Sequence, residues 1–120
     1  MMAATKQNIE LWAGDHTDLV FTVTDEETVL GSTVRWKMAE TVDSDPLIVK
    51  NGASITLDGN TFIVHLEPED TRSVEASARH YNGKKYYHEA EVRDADSKVF
   101  TVSTGEVTLW NTIIKSEPEP

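Results

Sequence analysis

The side chains best equipped for chemistry in this 120-residue sequence are four histidines and twenty-one carboxylates. His16, His65, His80 and His88 form no His-x-His pair, and His88-Glu89-Ala90-Glu91 lacks the second histidine that a zinc-binding helix places four residues on. His16 and His80 read as loop residues and His65 as a surface residue. His88 reads as a partly buried strand residue hydrogen-bonded to a neighbour. The carboxylates cluster as Asp15 with Asp18, Asp25-Glu26-Glu27, Asp43 with Asp45, Glu67 with Glu69 and Asp70, and Asp94 with Asp96. Asp94-x-Asp96-x-Lys98 opens like a calcium loop, but lysine stands where a third oxygen ligand belongs and Gly105 where the bidentate glutamate would. The acids therefore read as turn and cap residues, and no metal or other cofactor is expected.

Nucleophile chemistry is equally sparse. The chain has no cysteine, no Gly-x-Ser-x-Gly elbow and no glycine-rich phosphate loop. The sequence gives no constellation of nucleophile, base and oxyanion donors, so the expectation is a protein that is not an enzyme. Residues suited to contact are easier to find. Trp12 and Trp110 lie near the first and last strands, where they suit protein docking or sugar stacking; the reading preferred here is that they pack against the open ends of the fold. Tyr87, Glu89, Glu91 and Arg93 fall on one outward strand face that could meet a basic partner. Eleven basic against twenty-one acidic residues give a formal net charge of −10, which disfavours a nucleic-acid backbone and an anionic membrane as partners.

These residues need elements to hold them, and the dominant hydrophobic period is two, that of strands. Leu19, Phe21 and Val23, then Val34, Trp36 and Met38, alternate with outward residues that include Arg35 and Lys37. Phe62, Val64 and Leu66 form a third inward set; Tyr86, His88, Ala90 and Val92 form a fourth, and Val107 with Leu109 a fifth. Ile9 and Leu11 suggest an opening strand, Ile48 a short edge strand near Pro46, and Ile55 with Leu57 another. Asp58-Gly59-Asn60 reads as a hairpin, and Asn51-Gly52 and Asn82-Gly83 as further reversals. Pro68 to about Ser77 reads as a short crossover helix, with Pro68 at its first position and Glu69 and Asp70 where the helix dipole favours acids. The expected fold is an all-β antiparallel sandwich of about seven to nine strands with one short helix. Residues 1–8 form an N-terminal arm, 9–113 the sandwich and 114–120 an acidic, Pro-rich tail that cannot bury apolar surface. No stretch approaches the length of a membrane span and Met1 to Gln7 lacks a leader's apolar core, so a soluble, non-secreted product is expected.

Trp36 on an inner strand after Leu19-Val20-Phe21-Thr22-Val23, with Glu67-Pro68-Glu69-Asp70-Thr71 closing another strand, resembles the immunoglobulin-like sandwich. Two departures exclude an antibody-type domain: the core cysteines are missing, and Asp70 lies sixteen residues from Tyr86, too far for the usual tyrosine corner. The chain is more closely similar to small immunoglobulin-like proteins of tailed bacteriophages and prophages, including the N-terminal domain of baseplate upper proteins. Gly14-Asp15 leading into Leu19 to Asp25, Gly31 to Lys37, Asp45 to Lys50, Leu66 to Thr71 and Tyr86 to Ala95 carry that similarity. It implies a virion structural part of the tail, baseplate, neck or capsid surface, assembled in the bacterial host cytoplasm. Its implied partners are other virion proteins in a homo-oligomeric or symmetric assembly, with no catalytic residues to transfer. The competing expectation is a carbohydrate-binding or host-adhesion module, in which Trp12, Trp110 or Tyr87 stacks on a sugar beside carboxylates.

Overall fold

The computed structural model describes residues 5–23, 30–78 and 83–110. His80, Asp25-Glu26-Glu27, Asn82 and the tail 114–120 lie outside them. Among the described residues the chain forms nine strand segments. They are β1 (Thr5–Lys6), β2 (Ile9–Trp12), β3 (Thr17–Thr22), β4 (Thr33–Ala39), β5 (Pro46–Asn51), β6 (Ile55–Asp58), β7 (Thr61–Leu66), β8 (Lys84–Arg93) and β9 (Val99–Trp110). One helix, α1 (Pro68–Ala78), connects β7 to β8.

The larger sheet runs β1-β9-β8-β4-β5, with β2 also on β9, and the smaller runs β3-β7-β6. Pairing is antiparallel except along β9, where β1 and β2 run parallel to it. This is the immunoglobulin-like β-sandwich, with Trp36 on a central strand and a helix between β7 and β8.

Alternation decides which side chains meet between the sheets, and the inward sets read from the sequence are all buried. Trp36, Phe62, Val64, Ala90, Val92 and Val107 are wholly enclosed. Phe21 and Phe62 stack at 5.1 Å between ring centroids, and Phe21 reaches across the interior to the His88 ring at 5.9 Å, joining the sheets. Removing this apolar area from water is the main stabilising term.

The helix behaves as its first turn dictates. The Glu67 backbone N–H donates to Asp70 Oδ2 at 2.7 Å, a reciprocal cap, and Lys50 Nζ pairs with the same carboxylate oxygen at 2.7 Å. Thr71 and Val74 face the interior, and the Gly14 N–H donates to Thr71 Oγ1 at 2.9 Å. The helix thus carries the chain between sheets while stitching β5 and the β2–β3 loop to it.

Two features differ from the sequence reading, and a third adds detail to the N-terminal residues. Asn51-Gly52 is not a hairpin reversal: it leads into a 3-10 turn, Gly52–Ser54, which moves the chain from β5 in one sheet to β6 in the other. β9 is twelve residues long and begins well before Val107. Residues of the expected arm are stitched down: Thr5–Lys6 pairs with β9, and the Gln7 N–H donates to the Thr104 carbonyl at 2.7 Å.

Candidate functional site

The outer face of the larger sheet collects every contact residue singled out above. Burying Ile9, Leu11, Val107 and Leu109 forces Glu10, Trp12, Thr108 and Trp110 outward, and parallel register sets Trp12 beside Trp110. Their rings stack at 6.3 Å between centroids, with planes 26° apart, and Trp12 keeps 47% of its surface exposed. The Trp110 indole N–H donates to Glu10 Oε1 at 3.0 Å. Gly83 makes room for the pair: a Cβ at this position, where φ is +83°, would press into the Trp110 ring and Thr108. The rings therefore do not cover the ends of the sandwich, as the sequence reading preferred. They stand on the sheet's outer face because their chain neighbours Leu11, Ala13 and Leu109 claim the interior.

Tyr87, Glu89 and Glu91 lie farther across the same face, on β8, opposite Ala39, Lys37 and Arg35 of β4. Arg35 Nη1 meets Glu91 Oε1 at 3.4 Å, and Lys85 Nζ meets Glu106 Oε1 at 3.3 Å. These are exposed pairs, which contribute roughly 0–1 kcal/mol each. Tyr87 and Glu89 line an open groove together with Lys37, Ala39, Val42 and Pro46. The sequence reading missed Glu10, Ala39, Val42 and Pro46 and the pairing of the two tryptophans. Outward alternation was visible for the strands, but which strands lie side by side, and in which register, was not.

Charge is distributed unevenly. Lys6, Arg35, Lys37, Lys85 and Arg93 point outward from this sheet together with Glu10, Glu89, Glu91 and Glu106, so the face has an excess of one positive charge. The whole chain carries −10. At the end of the face, the Glu40 carboxylate accepts a hydrogen bond from Lys84 Nζ at 2.7 Å and raises the lysine above its ordinary value.

Behind the face, His88 holds the N-terminal strand segments to the sheet. The Trp36 indole N–H donates to His88 Nδ1 at 3.2 Å, so the neutral ring carries its proton on Nε2 and donates it to the Gln7 carbonyl at 2.6 Å. Burial lowers the histidine below its ordinary value, partly offset by that backbone hydrogen bond. A histidine depressed in the folded state contributes stability that is complete above about pH 6.5, the unfolded value, and is lost as pH falls from there toward the folded value. Glutamine can accept from Trp36 and donate to Gln7 without titrating. Urea unfolding at pH 7.5 and 5.5 is therefore expected to show a larger acid loss of stability in the wild type than in His88→Gln. An equal loss in both would remove His88 from the pH dependence.

Among the described residues, the remaining histidines and the acids of the Asp15–Asp18, Glu67 and Asp94–Asp96 groups are surface and turn residues. His65 bridges Asp18 and Thr56, both at 2.8 Å, and His16 meets Glu67 at 3.3 Å. Asp94 Oδ1 accepts the backbone N–H groups of Asp96 and Lys98, each at 2.9 Å, closing the β8–β9 turn.

Among solved structures the chain is similar to the fibronectin(III)-like modules of Clostridium thermocellum CbhA, at 12% identity and a TM-score of 0.43, over 92% of this chain and 95% of that one. No family model and no curated protein matches it.

Proposed function

We propose that this domain is a non-enzymatic structural and assembly part of a tailed-phage virion, in the tail, baseplate, neck or capsid surface, working through protein–protein contacts of its larger sheet. The observation that carries the reading is the solvent-facing Trp12–Trp110 stack on a face whose charges nearly balance. Large aromatics in such a setting give contact area at little conformational cost, and a near-neutral face lets an acidic protein approach neighbours. The similarity of Leu19 to Asp25, Gly31 to Lys37 and Tyr86 to Ala95 to phage immunoglobulin-like proteins points the same way.

A second reading, host-saccharide binding, is favoured by one observation: the paired indoles have a carboxylate, Glu10, at their edge. Aromatic faces beside hydrogen-bonding carboxylates suit sugar rings. The two readings separate in one set of variants. Replacing both tryptophans by alanine is expected to cost about 1 kcal/mol of stability, the scale of an exposed cross-strand aromatic pair, and to reduce incorporation of the chain into particles severalfold. Unchanged incorporation would contradict the assembly reading. Quenching or a blue shift of wild-type tryptophan fluorescence on titration with host polysaccharide would favour the sugar reading instead.

A further inference from the structure

The β4–β8 register gives the outer face a particular symmetry. Arg35 pairs with Glu91, Lys37 with Glu89 and Ala39 with Tyr87, so β4 carries a basic row and β8 the matching acidic row, level by level. Arg35 and Glu91 meet within the chain. Lys37 and Glu89, although cross-strand neighbours, make no hydrogen bond or ion pair among the described residues.

We infer that this face binds a second copy of the chain, face to face, about a two-fold axis running parallel to the strands between β4 and β8. The inference rests on the assembly reading above and names the partner and the surface.

Rotation about that axis lays β4 of one copy over β8 of the other. Lys37 then faces the second copy's Glu89, Arg35 faces Glu91, and Tyr87 enters the groove of Ala39, Val42 and Pro46, each contact occurring twice. On the flanks, β5 lies over β9, which sets exposed Val49 opposite Thr104. Self-complementarity of this kind is what a two-fold interface demands. The copies meet on a broad face whose charges nearly balance, although the whole chain carries −10. The four strands that overlap, β5, β4, β8 and β9, lie about 4.8 Å apart over roughly seven residues and project about 440 Å² per copy, which side-chain relief raises but leaves below the ~800 Å² of a standard interface. A reversible pair with a dissociation constant on the order of micromolar is the corresponding expectation.

Sedimentation equilibrium of the purified chain tests it through charge reversal in trans. The wild type should dimerise with concentration. K37E alone and E89K alone should each weaken the dimer by about tenfold or more, because each sets like charges opposite one another twice. An equimolar mixture of K37E and E89K should recover a heterodimer of near wild-type affinity, since every facing pair is again opposite in sign. K98E, which changes net charge as K37E does but lies in the β8–β9 turn, should leave the dimer intact, and thermal melts report whether each variant is folded. A wild type that stays monomeric at several hundred micromolar, or a dimer indifferent to K37E and E89K, overturns the pairing. If that monomeric chain still sediments with particles, only the pairing falls and the assembly reading stands.

Discussion

Trp36→Ala is expected to abolish cooperative folding at 37 °C, or to leave a chain that unfolds at the first additions of urea. Trp36 is wholly enclosed, and its truncation removes the largest side chain of the interior. Large-to-small substitutions of buried tryptophan cost about 3–5 kcal/mol, because the surrounding strands cannot collapse into the void. Here a second cost adds to the first. The indole N–H is the donor to His88 Nδ1, and its loss strands a buried acceptor at about 1–3 kcal/mol. Together these approach the ~5–15 kcal/mol total stability of a domain this size. Trp36→Phe keeps most of the volume and loses the hydrogen bond, so it should remain folded with an intermediate loss. Urea unfolding followed by circular dichroism checks both; an alanine variant within about 1 kcal/mol of wild type would contradict the packing described here.

The second large effect is expected at Gly105→Ala, from a residue that sequence alone marks only as a weak strand former. A methyl group there would overlap the Gln7 backbone and crowd His88 Nε2. The chain between β1 and β2 passes directly over Gly105, held by Gln7 N–H to Thr104, by His88 to the Gln7 carbonyl, and by the Glu106 N–H to Asn8 Oδ1 at 3.1 Å. Alanine forces the N-terminal segment away and leaves the His88 N–H buried without its acceptor. A loss of about 2–4 kcal/mol is expected, the sum of two or three hydrogen bonds and one orphaned donor. Because the strain is local, amide exchange should accelerate at Gln7 and Glu106 far more than in β7. Uniform acceleration throughout the sandwich would mean that the segment is not a separable unit.

Gly105 and Trp36 also mark where the sequence was and was not readable. Every inward set of β3, β4, β7 and β8 followed from a period of two, and the helix followed from Pro68 and the acids after it. The first half of β9 did not. The register shifts between Ala90 and Glu91, so Val102 and Ser103 both face inward and the alternation breaks where a strand had to be recognised. Asn51-Gly52 announced a turn correctly, but the residues that permit a turn do not say whether the chain folds back or changes sheet. The candidate site was legible to the same depth. Outward placement of Tyr87, Glu89 and Glu91 followed from alternation, whereas Trp12 and Trp110 read as packing against the ends of the sandwich. The stacking of Trp12 on Trp110 depends on parallel register between the two ends of the chain, a non-local pairing that no short pattern encodes. The matching of Lys37 with Glu89 likewise required the β4–β8 register.

The most direct test of the central claim is sedimentation of the source lysate through a density gradient, with an antibody against this chain reporting its position. The account predicts recovery with intact particles at a fixed copy number, which also separates a capsid-surface role from a tail or neck ring. Recovery only among free soluble proteins at the top of the gradient would contradict it and move saccharide binding at the Trp12–Trp110 pair to first place.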